Sequence, residues 1–292
     1  MKSNEKRTYK KRSQLSLIWH RLSRNKLAML GLFLMTSIAM LALCADLIAD
    51  YNTTVVGMNM LERLQPPSGK HWFGTDGYGR DVFARIIHGS RLSLSLSIVS
   101  MLIAVAVGSL IGAISGYYGG KVDDVLMRLM DMLLAIPPML MSISIVAALG
   151  RSMVNLMLAL ALAYMPVFAR VIRSSILSVK GQEFVEAAKA CGTSDARIIM
   201  RHIVPNAVGP IIVQATLAMG SSILTISSLS FMGMGIQPPQ PEWGTMLYEG
   251  RDLIRTSPYL VIFPGLAIAV SVLSLNLLGD GLRDALDPRL KN

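Results

Sequence analysis

The sequence predicts an all-α polytopic membrane protein, a bundle of about six transmembrane helices. Just over half (52%) of the 292 residues are hydrophobic and 16% are charged, whereas soluble domains carry about 25% charged residues. Six stretches without Asp, Glu, Lys or Arg are each long enough for a span of roughly 20 mostly apolar residues. They are 27–45, 92–120, 132–150, 152–169, 202–241 and 256–279.

The distribution of basic residues predicts the orientation of the bundle. Nine Lys and Arg but one acidic residue, Glu5, occupy residues 1–26, and such basic segments stay in the cytoplasm. Alternating from there places 116–131, 170–206 and the C-terminus inside, together with most of the Lys and Arg. An odd number of spans would destroy this bias, so we predict that both termini are cytoplasmic. Membrane orientation also accounts for the net charge of +10, and no nucleic-acid partner is predicted.

These signals divide the chain into segments. The first uncharged run is longer than the roughly 7–15 residues of a secretory signal core, so a retained anchor helix is expected. The segment after it contains Pro66-Pro67 and several Gly, which indicate mainly turns, and its end, Asp81 to Arg91, is expected to form a short amphipathic helix leading into the second span. In order, the predicted segments are a cytoplasmic basic arm (1–26), the first transmembrane helix (27–48), an extracytoplasmic segment (49–91), a five-helix transmembrane core (92–282) that includes a cytoplasmic loop (170–206), and a cytoplasmic tail (283–292).

Three glycines in the second span are spaced by four residues. Gly108, Gly112 and Gly116 therefore lie on one face of a helix. Small residues on one face let another helix approach closely in a membrane. We predict a helix-packing surface, with a role in lining a pore as the alternative.

The middles of the spans contain no Asp, Glu, Lys or Arg. Ion-coupled transporters usually need ionisable groups there, so energy for transport is expected to arrive through a soluble surface. The run Gly119-Gly120-Lys121 does not fit a phosphate-binding loop, because Ser115 stands where that loop needs Gly and Val122 follows the Lys. No ATP or other cofactor is therefore predicted on this chain.

The spacing of cysteines and histidines predicts neither a metal site nor catalysis. Cys44 and Cys191 lie far apart with no CxxC pair, so neither a disulfide framework nor a zinc site is indicated. The four His lie on different predicted elements, and no Ser/His/Asp set can be placed on one face. We predict that the chain is not an enzyme.

The largest internal loop contains a predicted helix–turn–helix. Helix-forming residues fill 182–191, and Gly192 supplies a stop because Gly tolerates the left-handed conformation. Residues 193–195 are good N-caps for a second short helix over 195–203, which Pro205 would end. This hairpin is expected at the inner face of the membrane, where an interfacial hairpin without a partner is the alternative.

The hairpin resembles the cytoplasmic signature of ABC importer permeases. Glu186-Ala187-Ala188, Gly192 and Pro205 stand at the spacing of that signature, while His202 and Val204 depart from its general form and resemble the peptide/nickel branch. Further segments are similar to the C-type permeases of the same branch and cover most of the chain after residue 66. They are 71–81, 116–120, 228–233, 241–244 and 279–289.

This resemblance implies an ABC importer permease fold in a bacterial or archaeal cell membrane. It also implies a heterodimer with a second homologous permease, two cytoplasmic ATPase subunits that hold ATP and Mg, and an extracytoplasmic substrate-binding protein. The expected cargo is a short peptide, with glutathione, nickel or a metal chelate as the alternatives. The residues expected to dock on the ATPase are Glu186, Ala187, Ala188, Gly192, His202 and Pro205.

Charged and aromatic residues outside the membrane are candidates for contact with a binding protein or for the entrance. They are Trp72, Asp76, Arg80, Asp81, Glu242 and Trp243. The alternative is that they are interfacial aromatic residues and charges that stabilise turns. An ion-coupled secondary transporter is the alternative from a different functional class.

Overall fold

The computed structural model describes residues 14–199, 201 and 204–286, and these form α-helices and connecting turns. The predictions made for residues 1–13, His202 and 287–292 lie outside the described residues. The α-helices are α1 (Gln14–Leu22), α2 (Lys26–Leu43), α3 (Ala45–Ile48), α4 (Val82–Tyr118), α5 (Gly120–Leu134), α6 (Pro138–Leu149), α7 (Met153–Lys180), α8 (Glu183–Ala190), α9 (Asp195–Ile198), α10 (Val204–Phe231), α11 (Trp243–Gly250) and α12 (Tyr259–Leu286).

Five described helices, α2, α4, α7, α10 and α12, are long and apolar enough to cross a membrane. The pair α5 and α6 passes the same test together, bent by 86°, and makes the sixth span if it is counted as one. The all-α polytopic bundle of about six spans is therefore confirmed. Leu22 and Ala28 near the start of the chain pack against Ala285 near its end, as an even number of crossings requires.

The first transmembrane helix is shorter than the predicted 27–48. It ends at Leu43, and α3 follows as a separate turn. The guanidinium of Arg91 donates hydrogen bonds to the carbonyl oxygens of Ala42 and Leu43, the latter at 2.9 Å. Because these carbonyls are held by a side chain from α4, they do not continue the helical ladder of α2.

The second span is much longer than its predicted apolar part, because the short helix expected over 81–91 is continuous with it and α4 begins at Val82. The Asp81 carboxylate caps it by accepting the Ala84 amide at 2.8 Å, which satisfies one of the free N–H groups at a helix start. The basic residues of its first turns contact other parts of the chain: Arg85 contacts Glu249, and Arg91 contacts Asp46. The helix therefore continues beyond its apolar part.

The third span is broken at the two prolines that the sequence placed within it. α5 ends at Leu134, and α6 starts at Pro138. Proline has no N–H and disfavours helical backbone in the residue before it, so a helix that reaches Pro137 ends or bends there. Pro138 itself is tolerated because it occupies the first position of α6.

The fourth span extends the bundle into the loop predicted over 170–206. α7 continues to Lys180, so residues 170–180 are helical. Two basic residues of this extension pair with α5: Arg170 with Asp131, and Arg173 with Asp123. These pairs fix the extension against α5, and the loop proper is correspondingly shorter.

α4 and α7 pack closely along the glycine face of α4. A Cβ at Gly108 would lie 2.5 Å from the carbonyl oxygen of Met165, and one at Gly116 would lie 3.0 Å from the Cβ of Ile176. At Gly112 the nearest atom would be the carbonyl oxygen of Ala169. The two backbones therefore approach to distances that leave no room for side chains, which is how helices pack without a hydrophobic driving force in lipid.

We expect Gly112→Val to destabilise the bundle by about 3 kcal/mol, because the obstacle is the rigid backbone of α7. Gly265→Val is the matched control, since a Cβ at this glycine of α12 would meet no atom within 4 Å. The measurement is thermal unfolding of the purified protein in detergent. Equal stability of the two variants would contradict the proposed packing constraint.

Candidate functional site

The segment 183–198 folds as two short helices joined at Gly192, and we name it the hairpin. Gly192 has φ of +74°, a conformation that Gly adopts freely and side chains other than Asn or Asp rarely adopt. The turn is closed by hydrogen bonds from the Cys191 amide to the Ala187 carbonyl (3.0 Å) and from the Thr193 amide to the Ala188 carbonyl (3.1 Å). The second helix begins at Asp195 as predicted; its α-helical part ends at Ile198, and residues 199 and 201 are π-helical.

The hairpin is held on the bundle by buried side chains from both of its helices. Val185 of α8 and Ile198 of α9 are fully buried. They pack in one cluster with Ile172 and Ile176 of α7 and Tyr117 of α4. A polar contact accompanies this packing: the Tyr117 hydroxyl donates a hydrogen bond to the Asp195 carboxylate. The hairpin is therefore attached to both α4 and α7, the two helices that pack along the glycine face.

The opposite face of the hairpin is exposed. The side chains of Glu186 and Ala187 are exposed, as is Gly192 at the turn, whereas Ala188 is half-buried and packs against the cluster that seats the hairpin. Pro205 does not end α9 as expected but lies in the first turn of α10, where proline is tolerated. A surface of small side chains beside a carboxylate is thus free for another protein to contact.

An ion pair links the helices next to the hairpin. Arg173 donates from Nε and Nη2 to the two carboxylate oxygens of Asp123, each at 2.6 Å. Such a two-point arginine–carboxylate contact fixes orientation as well as distance. The Ser115 hydroxyl of α4 donates to the same carboxylate. α4, α5 and α7 are therefore joined close to the cluster that seats the hairpin.

The other end of the bundle holds a buried group of four charged residues, which we name the outer charge cluster. Its members are Asp76, Arg80, Arg85 and Glu249. Arg80 lies 2.6 Å from Asp76 and 2.9 Å from Glu249, and Arg85 lies 2.8 Å from Glu249. Burial lowers the pKa of Arg80, but the carboxylates of Asp76 and Glu249 outweigh burial and raise its pKa above the usual value. The two opposite pairs leave the cluster neutral.

The outer charge cluster joins parts of the chain that are distant in sequence. Asp76 and Arg80 belong to the loop before α4, Arg85 belongs to α4, and Glu249 belongs to α11. The two arginines are 1% exposed. Arg85 and Glu249 were not among the predicted site residues, and no sequence spacing connects positions so far apart.

The remaining outer candidates also have structural partners. Glu242 is fully buried and caps α11 by accepting the amides of Gly244 and Thr245, each at 2.9 Å. Trp243 is buried and donates from its indole nitrogen to the Ile86 carbonyl at 3.0 Å. Asp81 caps α4 and lies 2.7 Å from the imidazole of His71.

Exposure separates the six outer candidates. In this chain Asp76, Arg80, Glu242 and Trp243 are buried and Asp81 is half-buried, so these side chains serve its internal structure. For the four buried residues the ion pairs and caps agree with the alternative of structural roles, and contact with a binding protein or the entrance stays a prediction. Trp72 is 64% exposed and stays the candidate for an external contact.

A bundle of about six spans, with the hairpin at one end and the outer charge cluster at the other, fits the class of membrane permease subunits. The chain belongs to the family of binding-protein-dependent transport system inner membrane components, whose family model matches residues 108–292. A second family model, the N-terminal transmembrane domain of oligopeptide transport permease C, matches residues 13–67. The protein is therefore an ABC importer permease of the multi-pass inner-membrane type, and the ion-coupled alternative is set aside.

Similar proteins cover nearly the whole chain. A dipeptide transport system permease of Alkalihalophilus pseudofirmus is 46% identical over 93% of this chain and 88% of its own length. A glutathione transport system permease of Pectobacterium atrosepticum is 43% identical over 94% and 91%. A di/tripeptide transport system permease of Pseudomonas aeruginosa is 41% identical over 96% and 94%.

We expect Glu249→Ala to destabilise the outer end by about 3 kcal/mol, because it leaves Arg80 and Arg85 buried with one carboxylate between them. Asp252→Ala is the control: its carboxylate is 84% exposed and pairs with Arg251 at the surface, where such pairs contribute at most about 1 kcal/mol. Thermal unfolding in detergent and protease sensitivity of residues 49–81 measure the effect. A smaller effect for Glu249→Ala than for Asp252→Ala would contradict the role assigned to the cluster.

Proposed function

We propose that this chain is the subunit through which short peptides cross the membrane, with the work supplied by ATP hydrolysis on two cytoplasmic partner subunits. The observation that carries the proposal is the seat of the hairpin. Val185 and Ile198 fix it to α4 and α7 while Glu186, Ala187 and Gly192 face outward. A partner bound to the outer face could therefore move the ends of two transmembrane helices at once.

The coupling works by differential binding. ATP and Mg are held by the partner ATPases, and their closure changes how they contact the hairpin. Moving a two-state bundle from 1:99 to 99:1 requires about 5.5 kcal/mol of differential binding. The exposed Ala187 and half-buried Ala188 allow close approach of the partner, and Glu186 offers a charge for pairing. A second homologous permease completes the path, and each permease receives one ATPase.

The cargo is assigned from the similar proteins. Three of them, 41–46% identical, are named for dipeptides, glutathione and di- or tripeptides. Glutathione is itself a tripeptide, so these cargoes share amide groups and a short chain. A substrate-binding protein outside the membrane delivers the peptide, and Trp72 is the side chain proposed to contact it. Nickel and metal chelates are tested as competing cargoes in the same assay.

The proposal predicts that Gly192→Val uncouples ATP hydrolysis from transport without preventing insertion. At φ of +74° a β-branched residue is strained by roughly 1–3 kcal/mol, and the turn that presents the hairpin shifts. Gly192→Asn is the matched control, because Asn tolerates this conformation and a Cβ at Gly192 meets no atom within 4 Å.

The measurement uses vesicles that contain the assembled importer and its binding protein. We expect dipeptide uptake by Gly192→Val to fall at least about tenfold, the equivalent of 1.4 kcal/mol, while Gly192→Asn retains most of it. ATP hydrolysis is recorded in parallel. Undiminished uptake by Gly192→Val would refute the coupling role, and uptake of nickel without dipeptide by the unaltered complex would refute the cargo.

A further inference from the structure

One face of α10 carries alternating polar and apolar residues from end to end. Gln214, Ser221 and Ser228 are separated by seven residues, so they fall on one stripe of the helix. Leu217, Leu224 and Phe231 lie between and after them on the same stripe. Ser221, Leu224 and Phe231 are exposed, and Gln214, Leu217 and Ser228 are half-buried.

A matching stripe on α12 lies beside it. Gly265, Ala269, Asn276 and Arg283 follow helical spacing and include three exposed residues. Two cavities and one close contact show which residues of the two stripes lie opposite each other. Ser228 and Gly265 line a cavity of about 610 Å³ toward the outer end. Gln214 and Arg283 line one of about 390 Å³ toward the inner end.

Asn276 lies between the two cavities. A Cβ placed on Gly220 of α10 would be 3.2 Å from its Oδ1 atom, so the amide is next to the middle of α10. The amides of Asn276 and Gln214 make no hydrogen bond to any other described residue. The groove between the stripes therefore has free polar groups at its middle and toward its inner end.

The exposed face of α4 has a different composition. Its exposed residues include Ile98, Val99, Leu102, Val107 and Leu110, as expected for a surface that contacts lipid. An amide without a partner in hydrocarbon loses several kcal/mol relative to water, so polar side chains of transmembrane helices face protein or water. The groove of α10 and α12 therefore differs from this face in carrying unpaired amides beside its apolar side chains, and these amides favour contact with water or protein.

We infer that the facing stripes of α10 and α12 form one wall of the peptide path. The inference rests on the proposed function and adds the residues that contact the cargo. The Asn276 and Gln214 amides and the Ser228 hydroxyl can donate to and accept from peptide groups, while Leu224 and Phe231 contact side chains. Neither α10 nor the part of α12 before Asp280 contains a charged residue, and Arg283 is the charged member of the stripes, at the inner end.

The test measures water access in the assembled importer in vesicles. In a background of Cys44→Ala and Cys191→Ala, Ser228→Cys and Asn276→Cys are compared with Leu102→Cys on the lipid face. The probe is a charged, membrane-impermeant methanethiosulfonate, which reacts with the thiolate. Because apolar surroundings raise the pKa of a thiol, we expect the two groove positions to react at least about tenfold faster, the effect of one pKa unit.

Two further results are expected. Excess dipeptide with its binding protein slows the modification, and modification at either groove position blocks dipeptide uptake. Modification as slow as that of Leu102→Cys in every nucleotide state would overturn the inference, because lipid or the second permease then covers the groove. Rapid modification that leaves uptake unchanged would also overturn it.

A second variant separates contact with cargo from folding. Asn276→Leu removes the amide but keeps the volume, and we expect about fivefold slower dipeptide uptake, the effect of one lost hydrogen bond, with unchanged thermal stability. Unchanged uptake by this variant would count against the inference. Dipeptide uptake by the cysteine-free parent tests the proposed function independently. If the parent takes up dipeptide, a negative result at the groove positions contradicts only the inference about the groove; if it does not, the peptide cargo itself is contradicted.

Discussion

The contact of α4 with α7 along Gly108, Gly112 and Gly116 is the interaction on which the other features depend. At 37 residues α4 is about 55 Å long, and it reaches from the outer charge cluster to the seat of the hairpin. Because the glycines bring the two backbones together, α4 and α7 behave as one stiff pair. A displacement at the hairpin can then reach the outer end without being lost in side-chain rearrangement.

Paired charges lie at both ends of the stiff pair formed by α4 and α7. Those of the outer charge cluster and the Arg173–Asp123 pair lie toward opposite ends of the stiff pair, and each is matched by an opposite charge. Removing ions from water is costly unless pairing and hydrogen bonds compensate, so a matched cluster can fix a loop to a helix where hydrocarbon packing is not available. The middle of the bundle needs no such pairs and can instead present uncharged polar groups.

Hydropathy and local signals predicted much of this structure. Uncharged stretches gave the number of spans, and the step of four predicted a close helix face that the geometry of Gly112 reproduces. A short helix over 81–91 leading into the second span was expected, but its continuity with that span was not, because its basic residues indicated a segment outside the membrane, whereas Arg85 is neutralised by Glu249. That pairing depends on how α11 folds back, which no local pattern encodes. The helical extension at 170–180 was also missed. Its arginines indicated a loop, whereas Arg170 and Arg173 pair with Asp131 and Asp123 of α5.

The position of the hairpin in the chain connects energy input to the proposed path. It lies between the end of α7 and the start of α10, so any movement of the hairpin acts on both helices. Pro210 removes one backbone hydrogen bond near the inner end of α10, which weakens the helix between its first turns and the part that carries the stripe. α10 also carries the polar stripe that faces α12. A partner that moves the hairpin therefore acts on the helix whose surface the peptide is proposed to contact, and no longer-range relay is required.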